Sequence, residues 1–378
     1  MILKREIPGA QPHFFGCDEE ILRDIAVVLK SGMLTQGRFL EKFETSFASM
    51  VGSKFGVGVN SGGAALELIF KAIGVKGKKV IVPTNTFVAT PASVIQAGGD
   101  VIFADIEEDT LCLDPEDVAK RLTPDTVAIV IVHMFGMVSA GIEKLQKICQ
   151  ERDIFLIEDA AHAHGASYKG VCAGMLGAAA AFSFFGTKIL TTGEGGVVTT
   201  NNQALYRSLL KLRNHGRILG DEEFDMVSNN YRLSEIPAIL GCHQVDFLGE
   251  NVSHRRKVAD RYCAGLQENK QLRLLVPPSE TRHSYWRFPI YVNESIDRNQ
   301  FQKIISEKYK IRLTWMYDPL CHLQPIYKDM YKTRLGDFPV AEKCMARLIC
   351  LPCHMGVSLQ DVDDICYAVR SCLSEVCI

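Results

Sequence analysis

The chain has 378 residues, too many for one simple core and comfortable for two domains. It is 47% hydrophobic and 23% charged, the balance of a packed soluble protein. Lys and Arg number 42 against 44 Asp and Glu, a net charge of −2, which excludes both the basic excess of a nucleic-acid binder and the acidic excess of a disordered tail.

In residues 18–31, Ile21, Leu22, Ile25, Val28 and Leu29 share one helical face, and Gly32 supplies a stop. Residues 38–50 repeat the pattern with Phe39, Leu40, Phe43, Phe47 and Met50. Strands and helices then alternate. Strands are predicted at 57–60, 79–82, 101–104, 127–133 and 154–157, and helices at 62–73, 90–97, 115–121 and 142–152. The strands are continuous apolar runs, the pattern of a largely parallel sheet covered on both faces. A strand at 181–185 follows, then one at 196–200, a helix at 202–214, an irregular polar stretch at 217–231, and helices near 234–248 and 252–266. The remainder reads as a smaller α+β unit, with strands at 285–291 and 311–315 and helices at 298–308 and 358–374. The expected domains are 14–249 and 250–378, with residues 1–13 packing on the smaller one.

Lys4, Arg5 and Glu6 precede any apolar run and Pro8 follows, so no signal-peptide core is expected. The uncharged stretch 170–187 has the length of a membrane span, but Gly and Ala dominate it, and it reads as buried strand and tight loops. The 13 cysteines are scattered and odd in number, as expected of reduced thiols in the cytoplasm. Cys350-Leu-Pro-Cys353-His354 matches a haem-attachment string, yet haem attachment requires export. No second cluster supports zinc, so the string reads as a strand end with two small buried residues, and no metal is expected.

Ligands collect beyond the carboxyl ends of strands in open α/β sheets. After the first strand come Asn60-Ser61-Gly62-Gly63 and a helix, whose free N–H groups make an anion site. After the strand at 154–157 come Glu158 and Asp159, then His162 and His164. A carboxylate at the mouth of a buried strand needs a partner. The strand at 181–185 carries Ser183 and leads to Gly186-Thr187-Lys188, a lysine with few polar neighbours in sequence. Desolvation lowers a lysine pKa and frees an amine nucleophile. A nucleophilic lysine, a strand-end carboxylate and a phosphate cradle are the three parts that a pyridoxal phosphate site needs.

With those parts in place, the sequence resembles the DegT/StrS-type sugar aminotransferases, from about residue 30 to 360. The strings that carry the resemblance are GRFLEKFETSFA, NSGGAALEL, VIVPTNTFVATPASV, IEDAAHAHGASYKG, FSFFGTKILTTGEGGVVTT, RNHG, NNYRLSEIPAILG and LPCH. The resemblance implies an α/β chain of the pyridoxal-phosphate transferase fold type I, with a large, mostly parallel domain and a smaller α+β domain. It implies Lys188 as the Schiff-base lysine and proton shuttle, Asp159 as partner of the pyridinium nitrogen, and His162 beside the ring. Phe87 would pack on the ring face. Ser61, Gly62, Gly63 and Ser183 would hold the phosphate, joined by Asn230 from the partner subunit of a homodimer.

Two departures bear on these roles. Gly63 stands where the family usually has Thr, which removes a hydroxyl donor. Ser228 stands where a Gly usually precedes the Asn-Tyr-Arg string, which blurs the alignment of Asn230. The implied activity is transfer of an amino group from L-glutamate or a similar donor to a keto sugar, nucleotide-linked in the leading reading. The alternatives are a sugar dehydratase, which would carry His at Lys188, and a non-catalytic regulatory protein that binds the cofactor. Tyr317, His322, Arg232 and His215 are the candidates for substrate contacts.

Overall fold

The apolar runs become the strands of one central sheet in a computed structural model, which describes residues 5–314 and 316–376. In chain order the strands are β1 (Phe55–Val59), β2 (Lys79–Pro83), β3 (Asp100–Ala104), β4 (Thr126–Val132), β5 (Phe155–Asp159), β6 (Ser167–Tyr168), β7 (Val171–Cys172), β8 (Ala179–Ser183), β9 (Gly196–Thr200), β10 (Leu272–Leu274), β11 (Thr281–Arg282), β12 (Phe288–Val292) and β13 (Leu348–Leu351). Seven of them form the sheet β1-β9-β8-β5-β4-β2-β3. β9 runs antiparallel to both β1 and β8, and the other pairings are parallel. Helices connect the parallel strands from β2 to β5, which is why those strands are apolar on both faces, and β6 and β7 lie between β5 and β8. Against the sheet, Phe43 and Phe47 meet Phe182 and Phe184 edge to face, at ring separations of 4.8–5.0 Å.

A second hydrophobic cluster gathers Val258, Tyr262, Phe288, Phe301, Ile365 and Val369 around the small sheet β10-β12-β13. The helix Leu248–Leu266 serves both clusters, giving Leu248 and Val252 to the first and Val258 and Tyr262 to the second. Midway along it, buried Arg255 donates to Asn251 Oδ1 at 2.7 Å, to the carbonyl of Tyr285 at 3.2 Å and to the carbonyl of Cys353. Ile7 lies in the second cluster and bridges Ile311 in parallel, while Arg5 pairs with Asp361 at 2.6 Å.

Some elements differ from the sequence expectation. The strand expected from 285 starts at Phe288, because Trp286 is drawn to the first hydrophobic cluster. There the Trp286 N–H bonds to the carbonyl of Phe135 at 2.9 Å, and Tyr285 is held by His283 Nδ1 at 2.8 Å with φ +50°. Of the strand expected at 311–315, only isolated bridges at Ile311 and Thr314 form, and Trp315 lies outside the described residues. Two short helices, Pro325–Tyr331 and Pro339–Arg347, escaped the sequence reading although each opens on Pro at its first position. The stretch 170–187 holds β7, turns and β8, and no helix among the described residues is long and apolar enough to cross a membrane. Cys350 lies in β13 and Cys353 just beyond it, both buried as free thiols. No cluster of three metal-type side chains occurs among the described residues.

Candidate active site

β5 and β8 run side by side, and their carboxyl ends open on a cavity of about 440 Å³. Lys188, Asp159 and His162 lie in its wall, as do Phe87, Ser183 and the turn Ser61-Gly62-Gly63. With Tyr317, the fold thus gathers nine of the residues singled out from the sequence within one chain.

β1 delivers Ser61 to the cap of the helix Gly62–Ile73, where its hydroxyl accepts the N–H of Ala64 at 3.0 Å. The N–H groups of Gly62 and Gly63 have no partner within the helix, and this is the positive end of its dipole. A Cβ at Gly62 would lie 2.7 Å from the Cβ of Ser183, so only glycine lets the end of β8 come so near the helix start. At Gly63 the nearest atom to an added Cβ is 3.6 Å away, on Ala89. The turn is therefore shaped to receive a phosphate, with the Ser183 hydroxyl alongside.

Asp159 accepts the Thr90 hydroxyl at 2.8 Å and the Ala161 N–H at 3.2 Å. Burial nevertheless holds its carboxyl above the usual range, against the pull of these two bonds and of Lys188. Burial pushes the Lys188 amine down to about 7, opposed by Asp159 and aided by Arg287. That amine lies 4.3 Å from the ring centroid of Trp286. The Trp286 indole N–H donates to the carbonyl of Thr187 at 2.6 Å and so pins the loop that carries the lysine. His162 stacks on Trp286 at 3.8 Å, with 18° between the rings, and its Nε2 lies 3.0 Å from the Tyr317 hydroxyl. Burial drives its pKa well below the ordinary value, so the ring is neutral.

Thr90 and Trp286 were not singled out from the sequence. Thr90 is one helical turn after Thr86, a visible pairing, but its partner Asp159 is 69 positions away. Trp286 arrives from just before β12, 99 positions after Thr187 in the chain. Of the four candidates for substrate contacts, only Tyr317 lines the cavity. Both ring nitrogens of buried His322 are occupied, by Thr84 at 2.6 Å and Glu342 at 3.1 Å. Arg232 donates to Asn214 Oδ1 at 2.7 Å, and His215 is exposed on the loop after the helix Gln203–Arg213. Asn230 borders a neighbouring open hollow that shares Ser61 and Gly63 with the cavity.

The residues present fit pyridoxal phosphate. They offer a phosphate-shaped turn, an amine that is free near neutrality, and a buried carboxylate that lacks the cation a pyridinium would supply. Fold and site together define a pyridoxal-phosphate-dependent enzyme of fold type I. The model of the DegT/DnrJ/EryC1/StrS aminotransferase family matches residues 16–370, and the chain belongs to that family as a sugar aminotransferase. GDP-perosamine synthase of Escherichia coli O157:H7 is 30% identical over 371 residues, which span 98% of this chain and 99% of the relative. Among solved structures, S. venezuelae DesV in complex with a ketimine intermediate superposes with a TM-score of 0.89 at 30% identity, covering 94% of each chain. The putative sugar aminotransferase Spr1654 of Streptococcus pneumoniae, in its PMP form, superposes with a TM-score of 0.92 at 25% identity, covering 99% of each.

Proposed function

We propose that the chain transfers an amino group from L-glutamate to the carbonyl of a nucleotide-linked keto sugar, working as a homodimer in the cytoplasm. The observation that carries this reading is the convergence of Lys188 and Asp159 on one cavity, an amine free near neutrality and a carboxylate short of a cation. Similarity to GDP-perosamine synthase and to dTDP-amino-sugar transaminases supports the nucleotide-linked sugar.

Bound pyridoxal phosphate supplies an aldehyde that captures amines and a ring that takes up electrons when a C–H bond beside nitrogen breaks. The N–H groups of Gly62 and Gly63 and the Ser183 hydroxyl bind the phosphate, and Asp159 holds a proton at the ring nitrogen. Lys188 Nζ, pushed down to about 7 and so partly unprotonated at neutral pH, takes the proton from the donor's Cα and later returns one to the sugar carbon. Neutral His162, braced by Trp286 and Tyr317, orients the ring, and Phe87 shields it from water. Asn230 stands outside its own chain's cavity, and the reading places it at the phosphate held by a second copy. Phe87 and Phe185, 59% and 47% exposed at the cavity mouth, suit a surface that a second copy covers.

The test is direct. L-Glutamate alone should convert the visible spectrum of the loaded protein to that of the pyridoxamine form, and a panel of keto sugars should reverse the change. Lys188→Ala should lose turnover by at least about a thousandfold. Retained multiple turnover in that variant rejects the role, and a deoxygenated product in place of an amino sugar makes the protein a dehydratase.

A further inference from the structure

A second cavity, of about 890 Å³, lies between residues 5–10 and the smaller unit, and it shares Thr187 with the reactive cavity. Its wall is cationic, with Arg5, Arg287, Lys310 and Arg312 against Glu6. Two of these cations are balanced, since Arg5 pairs with Asp361 at 2.6 Å and Arg312 with Glu6. Neither Arg287 nor Lys310 meets a carboxylate at ion-pair distance among the described residues.

Arg287 is the more telling of the two, being only 5% exposed. One guanidinium nitrogen donates to the carbonyl of Gly9 at 2.8 Å, and the group lies 4.6 Å from the Trp286 ring centroid. Its Nε has no partner, and neither has the buried hydroxyl of Thr314 on the same wall. Two buried groups that feel its charge, Lys188 and Arg255, are also basic. A buried guanidinium among cations, with donors to spare and no carboxylate, is destabilised until an anion joins it.

We propose that this cavity is an oxyanion-binding site, with Arg287 as its central ligand and Lys310 and Thr314 completing it, and that it takes the carboxylate or phosphate group of a molecule engaged at Lys188. Arg287 and the Lys188 amine lie within 4.6 Å of the same Trp286 centroid, which puts the two groups at most about 9 Å apart. An α-amino acid holds its nitrogen roughly 3 Å from its carboxylate oxygens. A guanidinium carbon sits about 4 Å from an oxygen that it bonds. An α-carboxylate thus spans about 7 Å, short of that limit, whereas the side-chain carboxylate of L-glutamate, its oxygens roughly 6 Å from the nitrogen when extended, spans about 10 Å and comes within the range of Arg287. This last step rests on the proposed reading of Lys188, whereas the anion site does not.

The experiment uses the full chain loaded with pyridoxal phosphate, so that the Ser61–Gly63 turn is already filled. Inorganic phosphate and glutarate are titrated separately by calorimetry. At least one should bind saturably, more weakly as salt rises. Binding should fall about tenfold in Arg287→Gln and about threefold in Lys310→Gln, with partial recovery in Arg287→Lys. Glutarate that also competes with L-glutamate identifies the donor's carboxylate as the natural occupant, and phosphate that binds without such competition identifies a separate phosphate-bearing ligand. Absence of saturable binding by either probe, or wild-type binding in Arg287→Gln, overturns the proposal. Should Arg287→Gln fail to fold, Thr314→Val carries the same test with an expected loss of about threefold. Probe binding with no conversion by L-glutamate would count against the proposed amino donor and leave the anion site standing.

Discussion

Glu158 and Asp159 are neighbours at the end of β5, and the sheet sends them to opposite sides. Glu158 is closed in by the protein. It takes His133 Nε2 at 2.8 Å and the N–H groups of Gly174, Leu176 and Gly177, each at 2.7 Å. Asp159 has one hydroxyl and one longer N–H bond, and its remaining valence faces the cavity. Two carboxylates of similar burial thus differ in how far the chain itself satisfies them. The one left short is the one positioned to meet a ligand.

The largest effect that probes this contrast is expected from Asp159→Asn, which keeps the shape and removes the charge. Its rate of conversion by L-glutamate should fall about a hundredfold or more, with little change in melting temperature. An unchanged rate would remove Asp159 from the chemistry. Glu158→Gln should behave the opposite way, losing about 2–4 kcal/mol of stability in a denaturant titration while the folded fraction keeps the cofactor spectrum. A stable Glu158→Gln protein with damaged turnover would erase the distinction between the two residues.

A smaller effect is tied to pH. The Lys188 amine titrates near 7 in the folded chain and near its ordinary value of 10.5 when unfolded, so between those values the unfolded state binds more protons. The cofactor-free protein should therefore gain stability as pH rises from 7 towards 10, and Lys188→Met should flatten that slope. Melting curves at several pH values decide it. The smallest effect is expected from Gly63→Thr. An added Cβ meets no atom closer than 3.6 Å, and the hydroxyl should slow cofactor loss on dialysis by about threefold. Faster loss would show that the glycine is needed for backbone approach.

The contrast between the two carboxylates is only half legible in the sequence. Continuous apolar strands, the Ser61-Gly62-Gly63 turn and the isolated Lys188 are local signals, and local signals sufficed to place the sheet and the core of the cavity. Nothing local separates Glu158 from Asp159. Their fates depend on His133 just past the end of the adjacent strand β4, on the loop before β8, and on Thr90 in a helix far up the chain. Trp286 escaped for the same reason, because it acts on the loop of Lys188 from 99 positions beyond Thr187. The partners that explain buried His322, Thr84 and Glu342, are far off in sequence or on a helix the sequence reading missed.

The tight approach of Gly62 to Ser183 joins points 121 positions apart in the chain. A growing polypeptide that has made only its first hundred residues owns the glycine turn but not the serine that completes it. On the proposed reading the vitamin-derived cofactor has nowhere to settle until late in maturation, so the onset of yellow colour would time the closing of the sheet.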